Sequence, residues 1–339
     1  MATKAKTMQH KPVRVEPVET PPVEVADLQK ASTGSARTGI FVKQGLKTFT
    51  QRAVHGWLPV AVVLLAVLLV WYIAAWMLNA PGAIERVLDA EVGYTWQELF
   101  GATMHMERPL MPAPHQVAVD FYESLTEWPL DSPRNLLFHV AVTGQSTLTG
   151  FVMGTALGLF LSVLIVHSRT LDKALLPWIV ASQTVPVLAI APIVLVILGS
   201  LGFSGTAPKA VIAMYLCFFP VTVAMVQGLR SPQKMETEMM HTYAASKWQA
   251  LWLLRLPAAL PFLFPALRVG VAAGLVGAMV AELPTGAQAG LGAKLLTGSY
   301  YGQTTQIWSA LVMSALLGLA LTSTVALVER LVLRSRGGL

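Results

Sequence analysis

The chain has 339 residues, 54% of them hydrophobic and 12% charged, with a formal net charge of +6. Soluble domains carry roughly 25% charged residues, so this composition argues against an ordinary soluble enzyme and points to an all-α membrane protein. The modest positive charge is not clustered around aromatics, which disfavours nucleic acid as a partner, and the single cysteine, Cys217, allows no intrachain disulfide and has no metal-ligand spacing.

Residues 1–56 read as a disordered basic tail. Pro12, Pro17, Pro21 and Pro22 alternate with Val and Glu, and a Ser/Thr/Gly-rich piece follows, so nothing there can bury a core. Within it, residues 40–55 have the pattern of a short basic amphipathic helix that lies on a membrane surface. The tail has no small-residue cleavage site close to its start, so no cleaved signal peptide is expected.

The first span is expected at 58–78, an uncharged run long enough for a hydrocarbon core of roughly 30 Å. Trp57, Trp71, Tyr72 and Trp76 stand in or near it, as an aromatic belt would. Residues 80–135 form the longest polar connection, broken by Pro109, Pro112 and Pro114, with a short helix expected from His115 to Trp128.

The second span is expected at 140–166, where Gly150, Gly154 and Gly158 make a stripe for close helix packing. The third, at 175–198, contains Pro186 and Pro192, which predict kinks with backbone carbonyls needing other partners. The fourth is expected at 210–228 and the fifth at 262–281, the latter with a second small-residue stripe at Gly270, Gly274 and Gly277. A Gly-rich connection, 283–306, precedes the sixth span at 307–328.

Lys and Arg are distributed unevenly over the connections. Segments 1–56, 167–174, 229–260 and 329–339 hold 18, and segments 80–135, 199–209 and 283–306 hold 5. The positive-inside rule therefore predicts that both termini, and the connection 229–260, are cytoplasmic.

That connection contains the most polar Lys/Arg-bearing stretch between spans, Glu238 to Pro257. Met240, Ala244, Trp248 and Trp252 recur every four residues with Leu251 beside them, which predicts a helix with one apolar face that stops before Leu256-Pro257 and Pro261. On pattern alone such a helix lies in the lipid headgroups or docks on a partner.

Its residues resemble the E-A-A-x-x-x-G loop, closed by I-x-L-P, of permease subunits of bacterial ATP-binding-cassette importers. Glu238 matches the Glu and Leu256-Pro257 the close, while Met239-Met240 replaces the double Ala and Ala244 stands where the Gly belongs. Gly permits a left-handed turn that Ala resists, so a continuous helix is possible here. Ala245-Ser246-Lys247-Trp248-Gln249 is similar to a string of the nitrate/taurine/sulfonate branch. The strings Leu110 to Val117 and Gln183 to Pro192 also resemble elements of that branch.

The resemblance covers about residues 55–335. It implies a type I importer permease with about six transmembrane helices at 57–339, multi-pass in the bacterial cytoplasmic (inner) membrane. The implied partners are a cytoplasmic ATPase subunit, an external (periplasmic) solute-binding protein and a second permease copy. It also implies that Glu238, Ala244, Ala245, Ser246, Lys247, Trp248, Leu251, Leu256 and Pro257 couple the spans to the ATPase. Trp248 and Leu251 are expected to supply apolar docking area, and Glu238 and Lys247 to orient it.

No G-x-x-x-x-G-K-[ST] loop occurs in the sequence. ATP and Mg are therefore expected on the partner, with no cofactor and no metal site in this chain. Gly290 to Lys294 lacks the required spacing and receives no function. Uncharged polar residues in the spans are candidate pathway residues: Gln145, Gln183, Thr184 and Tyr215. Glu282 joins them, since a carboxylate at membrane depth is costly and faces a cavity or a polar interior; a cap bonded to a loop N–H is its structural alternative. Arg268, two turns into the fifth span, has a stem long enough to reach the inner surface and is expected to play a structural role. The rival readings are a secondary transporter or channel working without an ATPase, and a membrane scaffold.

Overall fold

A computed structural model describes residues 57–86, 93–283 and 289–335. The tail and the surface helix expected at 40–55 lie outside the described residues. The chain divides into two compact units, Met1–Ala66 and Val67–Leu339. The described part of the first, residues 57–66, is helical and begins α1 (Trp57–Arg86). Val62, Val63, Leu64 and Leu65 are all exposed there, as on a surface that meets lipid.

The second unit is helical throughout its described elements. After α1 come α2 (Trp96–Met104), α3 (Pro114–Thr126), α4 (Leu136–His167), α5 (Arg169–Ser182) and α6 (Val187–Ser200). Then follow α7 (Thr206–Leu229), α8 (Lys234–Thr242), α9 (Lys247–Ala250), a π-turn (Leu251–Arg255), α10 (Leu256–Glu282), α11 (Leu291–Tyr300) and α12 (Thr304–Ser335). Among the described residues, five stretches are long and apolar enough to cross a membrane, or six if α5 and α6 count as one span.

The centre of the unit is made by α4, α7 and α10, and glycine decides how close they come. A Cβ on Gly150 would lie 2.5 Å from the Ala210 carbonyl and the Ala213 Cβ, and one on Gly154 would lie 2.6 Å from the Cys217 Cβ. Gly150, Gly154 and Gly158 meet α7 in ascending order, so these two helices run in the same direction. Gly270, Gly274 and Gly277 of α10 flank the same line of Ala213, Cys217 and Val221 on α7, in descending order from Val221 back to Ile212. In lipid no hydrophobic drive joins helices, and close backbone approach supplies the dispersion contact instead. Cys217 is buried between the two stripes, its thiol donating to the Gly270 carbonyl at 2.9 Å.

The third span differs from expectation. It is not one kinked helix over 175–198 but two helices bent by 102°. Pro186 sits at the N-cap of α6, where its missing N–H costs nothing, while Pro192 lies inside α6 without ending it. The Tyr215 hydroxyl of α7 donates to the Ser182 carbonyl at the elbow, one of the groups the break exposes.

Trp71 and Tyr72 do not form a lipid-facing belt. The Trp71 indole donates to the Pro112 carbonyl at 3.0 Å and packs on Trp308, and Tyr72 stacks beside His115. Asn79 exchanges two hydrogen bonds with the backbone of Met111. These contacts fasten α1 to the polar connection through side chains that find partners inside the protein.

Candidate functional site

The segment Glu238 to Pro257 is not one continuous helix. Helix α8 stops at Thr242, and Ala244 has φ +50°, the one positive φ outside glycine among the described residues. Two hydrogen bonds close the turn. The Ala245 N–H donates to Met240 O at 3.0 Å and the Ala244 N–H to His241 O at 2.9 Å, which is the Schellman pattern with Ala at its left-handed position. A left-handed turn is therefore made without a glycine, and the break ends the apolar face expected from Met240 to Trp252. A left-handed alanine costs about 1–2 kcal/mol.

Ser246 then starts the next helix. Its hydroxyl accepts from Gln249 N–H at 3.2 Å, and Gln249 Oε1 accepts from Ser246 N–H at 2.7 Å. The string Ala245 to Gln249 is thus a reciprocal capping box placed directly after the turn.

Pro257 does not stop this helix. Ahead of it the backbone widens to a π-turn, in which the Leu256 N–H reaches Leu251 O five residues back. That widening makes room for the Pro257 ring, which clashes with the carbonyl four residues earlier in a regular α-helix. From Lys247 to Glu282 the chain is one helical rod of 36 residues. At 1.5 Å per residue it is about 54 Å long, well beyond the roughly 30 Å of hydrocarbon.

The side chains of the segment separate into two groups. Met239, Tyr243, Trp248 and Trp252 are exposed, as are Lys247 and Glu238, the latter paired with Lys234 within α8 at 3.5 Å. Trp248 also lies beside the His167 ring at the end of α4. Leu251 is 2% exposed and packs with Val221, Met225, Leu229 and Ala259, so it anchors the segment to its own chain and offers no docking area. Leu256 is half-buried and Pro257 exposed. A cleft of about 230 Å³ lies between the end of α4 and this segment, with Met240, His241, Lys247 and Arg255 on its walls. Nearby, Arg230 pairs with Asp172 at 2.9 Å, and Arg268 pairs with Glu329 of α12, a structural use of that arginine.

The opposite end of the rod is a buried polar knot. Glu282 is 0% exposed. Thr143 of α4 donates to its carboxylate at 3.0 Å, Lys209 of α7 at 3.2 Å and the Gly292 N–H at 2.9 Å. Thr143 in turn accepts from Leu291 N–H at 2.8 Å, and Lys209 donates to Ala289 O at 2.9 Å. His139 accepts the Gly290 N–H on Nδ1 at 3.0 Å, which puts its proton on Nε2, 2.8 Å from the Pro133 carbonyl. A carboxylate thus sits at the N-terminal end of α11, where free N–H groups and the helix dipole favour negative charge. Gly290, at φ +127°, is required: a Cβ there would lie 2.1 Å from the Glu282 carboxyl carbon.

Sequence reasoning missed Thr143 and Lys209 as partners of Glu282 and His139 as the acceptor for Gly290, and it left Gly290 to Lys294 without a role. The signal was present. Glu282 at membrane depth demands donors, and Lys209 is a lone cation at the start of a span.

The five pathway candidates are not gathered. Gln145, Gln183 and Thr184 are exposed, Tyr215 is half-buried at the elbow and Glu282 is enclosed in the knot. No hydrogen bond joins any two of them among the described residues.

Residues 154–336 match the family described as "Binding-protein-dependent transport system inner membrane component". The chain is 33% identical over 225 residues to the riboflavin transport system permease protein of Chloroflexus aurantiacus, covering 66% of this chain and 80% of that one. It is 33% identical over 184 residues to the formylaminopyrimidine transport permease protein of Halalkalibacterium halodurans, covering 54% and 68%. It is 26% identical over 250 residues to the putative aliphatic sulfonates transport permease protein of Bacillus subtilis, covering 74% and 86%.

Proposed function

Because the chain belongs to the family of binding-protein-dependent transport system inner membrane components, and is a multi-pass permease subunit of an ATP-binding-cassette importer, we propose how it is coupled and what it carries. The exposed Met239, Tyr243, Trp248 and Trp252 seat in a groove of the cytoplasmic ATPase, with Glu238 and Lys247 orienting the contact. Ala244, Ala245 and Ser246 shape the elbow that presents them, and Leu251, Leu256 and Pro257 weld the elbow to α10. ATP and Mg are held by that ATPase. Both termini are cytoplasmic, residues 1–56 are a tail and residues 57–339 the transmembrane domain. The assembly contains a second permease copy, homologous or identical, in the lipid bilayer, and an external solute-binding protein.

The mechanism follows from the rod. When ATP closes the ATPases, the docked elbows approach each other. Each elbow is continuous with its α10, so the displacement reaches the Glu282 knot at the far end, where α4, α7 and α11 are tied to it. The pathway opens outward, receives solute from the external protein, and hydrolysis reverses the change. Coupling of this kind needs different contact of the elbow in the two states. The solute is a small polar molecule, a nitrate-, sulfonate- or taurine-type anion or a pyrimidine-like precursor; relatives named for aliphatic sulfonates, taurine and formylaminopyrimidine support the sulfonate, taurine and pyrimidine classes.

One observation carries the coupling proposal: an exposed aromatic elbow is fused without interruption to a membrane-spanning helix. It is tested by crosslinking. With Cys217 buried, a Trp248→Cys variant treated with a bifunctional maleimide is expected to form an adduct with a surface cysteine on the ATPase, with a yield that changes on adding ATP. Val152→Cys, on an exposed part of α4, is expected to form none. Absence of any adduct at position 248 contradicts the docking role.

A further inference from the structure

The end of the second unit that holds the knot also carries a cleft of about 570 Å³, walled by α3, α11 and the start of α12. Clefts of roughly 300–1,000 Å³ are the size that small ligands occupy. Two groups in it lack partners. Lys294 is 8% exposed, and its ammonium makes no hydrogen bond among the described residues. Asp120 Oδ2 is buried and likewise has none. Buried polar atoms are normally satisfied, so a cation and a carboxylate oxygen left bare in one cleft ask for a ligand. Burial lowers the pKa of Lys294 and the charge of Asp120 raises it, so the two sense each other, yet no ion pair joins them.

The remaining charges fix the chemistry. Arg134 lies over the Trp128 ring at 4.4 Å, its guanidinium without a hydrogen bond among the described residues, and Glu123 and Glu127 stand on the rim. A plain anion would meet three carboxylates here. A plain cation would meet two cations and leave Lys294 bare. A solute that carries both signs satisfies each.

We propose that this cleft binds a small zwitterion, its anionic oxygens on Lys294 and Arg134 and its ammonium on Asp120 Oδ2. The proposal rests on the reading of the chain as a permease and gives that permease a solute site of its own. Lys294 belongs to α11, whose first residues grip Glu282, Thr143 and His139. Occupancy of the cleft is therefore joined through one helix to the knot and to α10.

The test uses the full chain in lipid nanodiscs without ATPase or external protein, so its outcome is independent of whether the elbow couples. Saturable binding of β-alanine or taurine is expected, with propionate, ethanesulfonate and propylamine each binding more weakly. Lys294→Met is expected to weaken zwitterion binding about tenfold or more, the scale of a lost hydrogen bond to a charged group. Asp120→Asn is expected to narrow the preference for zwitterion over anion, and it decides the matter if Lys294→Met does not fold. No saturable binding of either zwitterion, an anion bound as tightly, or both variants binding like the parent overturns the proposal.

Discussion

The two ends of the rod Lys247–Glu282 are built on opposite principles. At one end Tyr243, Trp248 and Trp252 stand in the open beside a strained Ala244. At the other, a fully buried Glu282 is held by donors from three other elements. An exposed aromatic surface gains energy only when something covers it. A buried ionic knot has its partners already and loses heavily when one is removed. The first arrangement suits a face for another chain, and the second suits a joint that holds this chain's own helices in register.

The contrast can be broken most severely at the knot. Glu282→Ala leaves Lys209 buried with one carbonyl partner, and removal of one member of such a pair costs about 3–5 kcal/mol. A large fall in the thermal midpoint of the purified protein is expected. Replacing both Lys209 and Glu282 by Met is expected to recover part of the loss, since the stranded charge is then gone. Equal stability of Glu282→Ala and parent would mean that the knot is not a joint.

Leu251→Ala tests the boundary between the two regions. It removes an anchor packed on Val221, Met225 and Leu229, at about 2–5 kcal/mol for a buried Leu. Both stability and transport are expected to fall. If uptake fell with stability intact, Leu251 would be reassigned to the docking face. The smallest effect is expected at Ala244. Ala244→Gly removes the left-handed strain and is expected to stabilise by about 1 kcal/mol, seen as a modest rise in thermal midpoint with uptake unchanged.

Much of this was readable in the sequence, because spans and small-residue stripes are set by composition and period. Gly150, Gly154 and Gly158 repeat every fourth residue, so they share one helix face, and the structure puts that face on α7. The elbow was harder. The spacing of Met240, Ala244, Trp248 and Trp252 is helical, but Ser246 and Gln249 cap a new helix and override it. The burial of Leu251 was not legible either, since position on an apolar face does not say whether own chain or partner covers it. The knot was legible only in its parts: a carboxylate at membrane depth demands donors, but its pairing could not be read. Glu282, Thr143 and Lys209 are brought together by tertiary packing across 139 and 73 residues of sequence, and no local pattern encodes that.

The central claim is that the exposed elbow passes work from the ATPase to the spans. Its most direct measurement is solute taken up per ATP hydrolysed in proteoliposomes containing the whole transporter, compared between the parent and Trp248→Glu. The account predicts that the variant still hydrolyses ATP while uptake per ATP falls about tenfold or more, on the scale of losing a buried aromatic anchor at an interface. An unchanged ratio, with a charge in place of the indole, would contradict it.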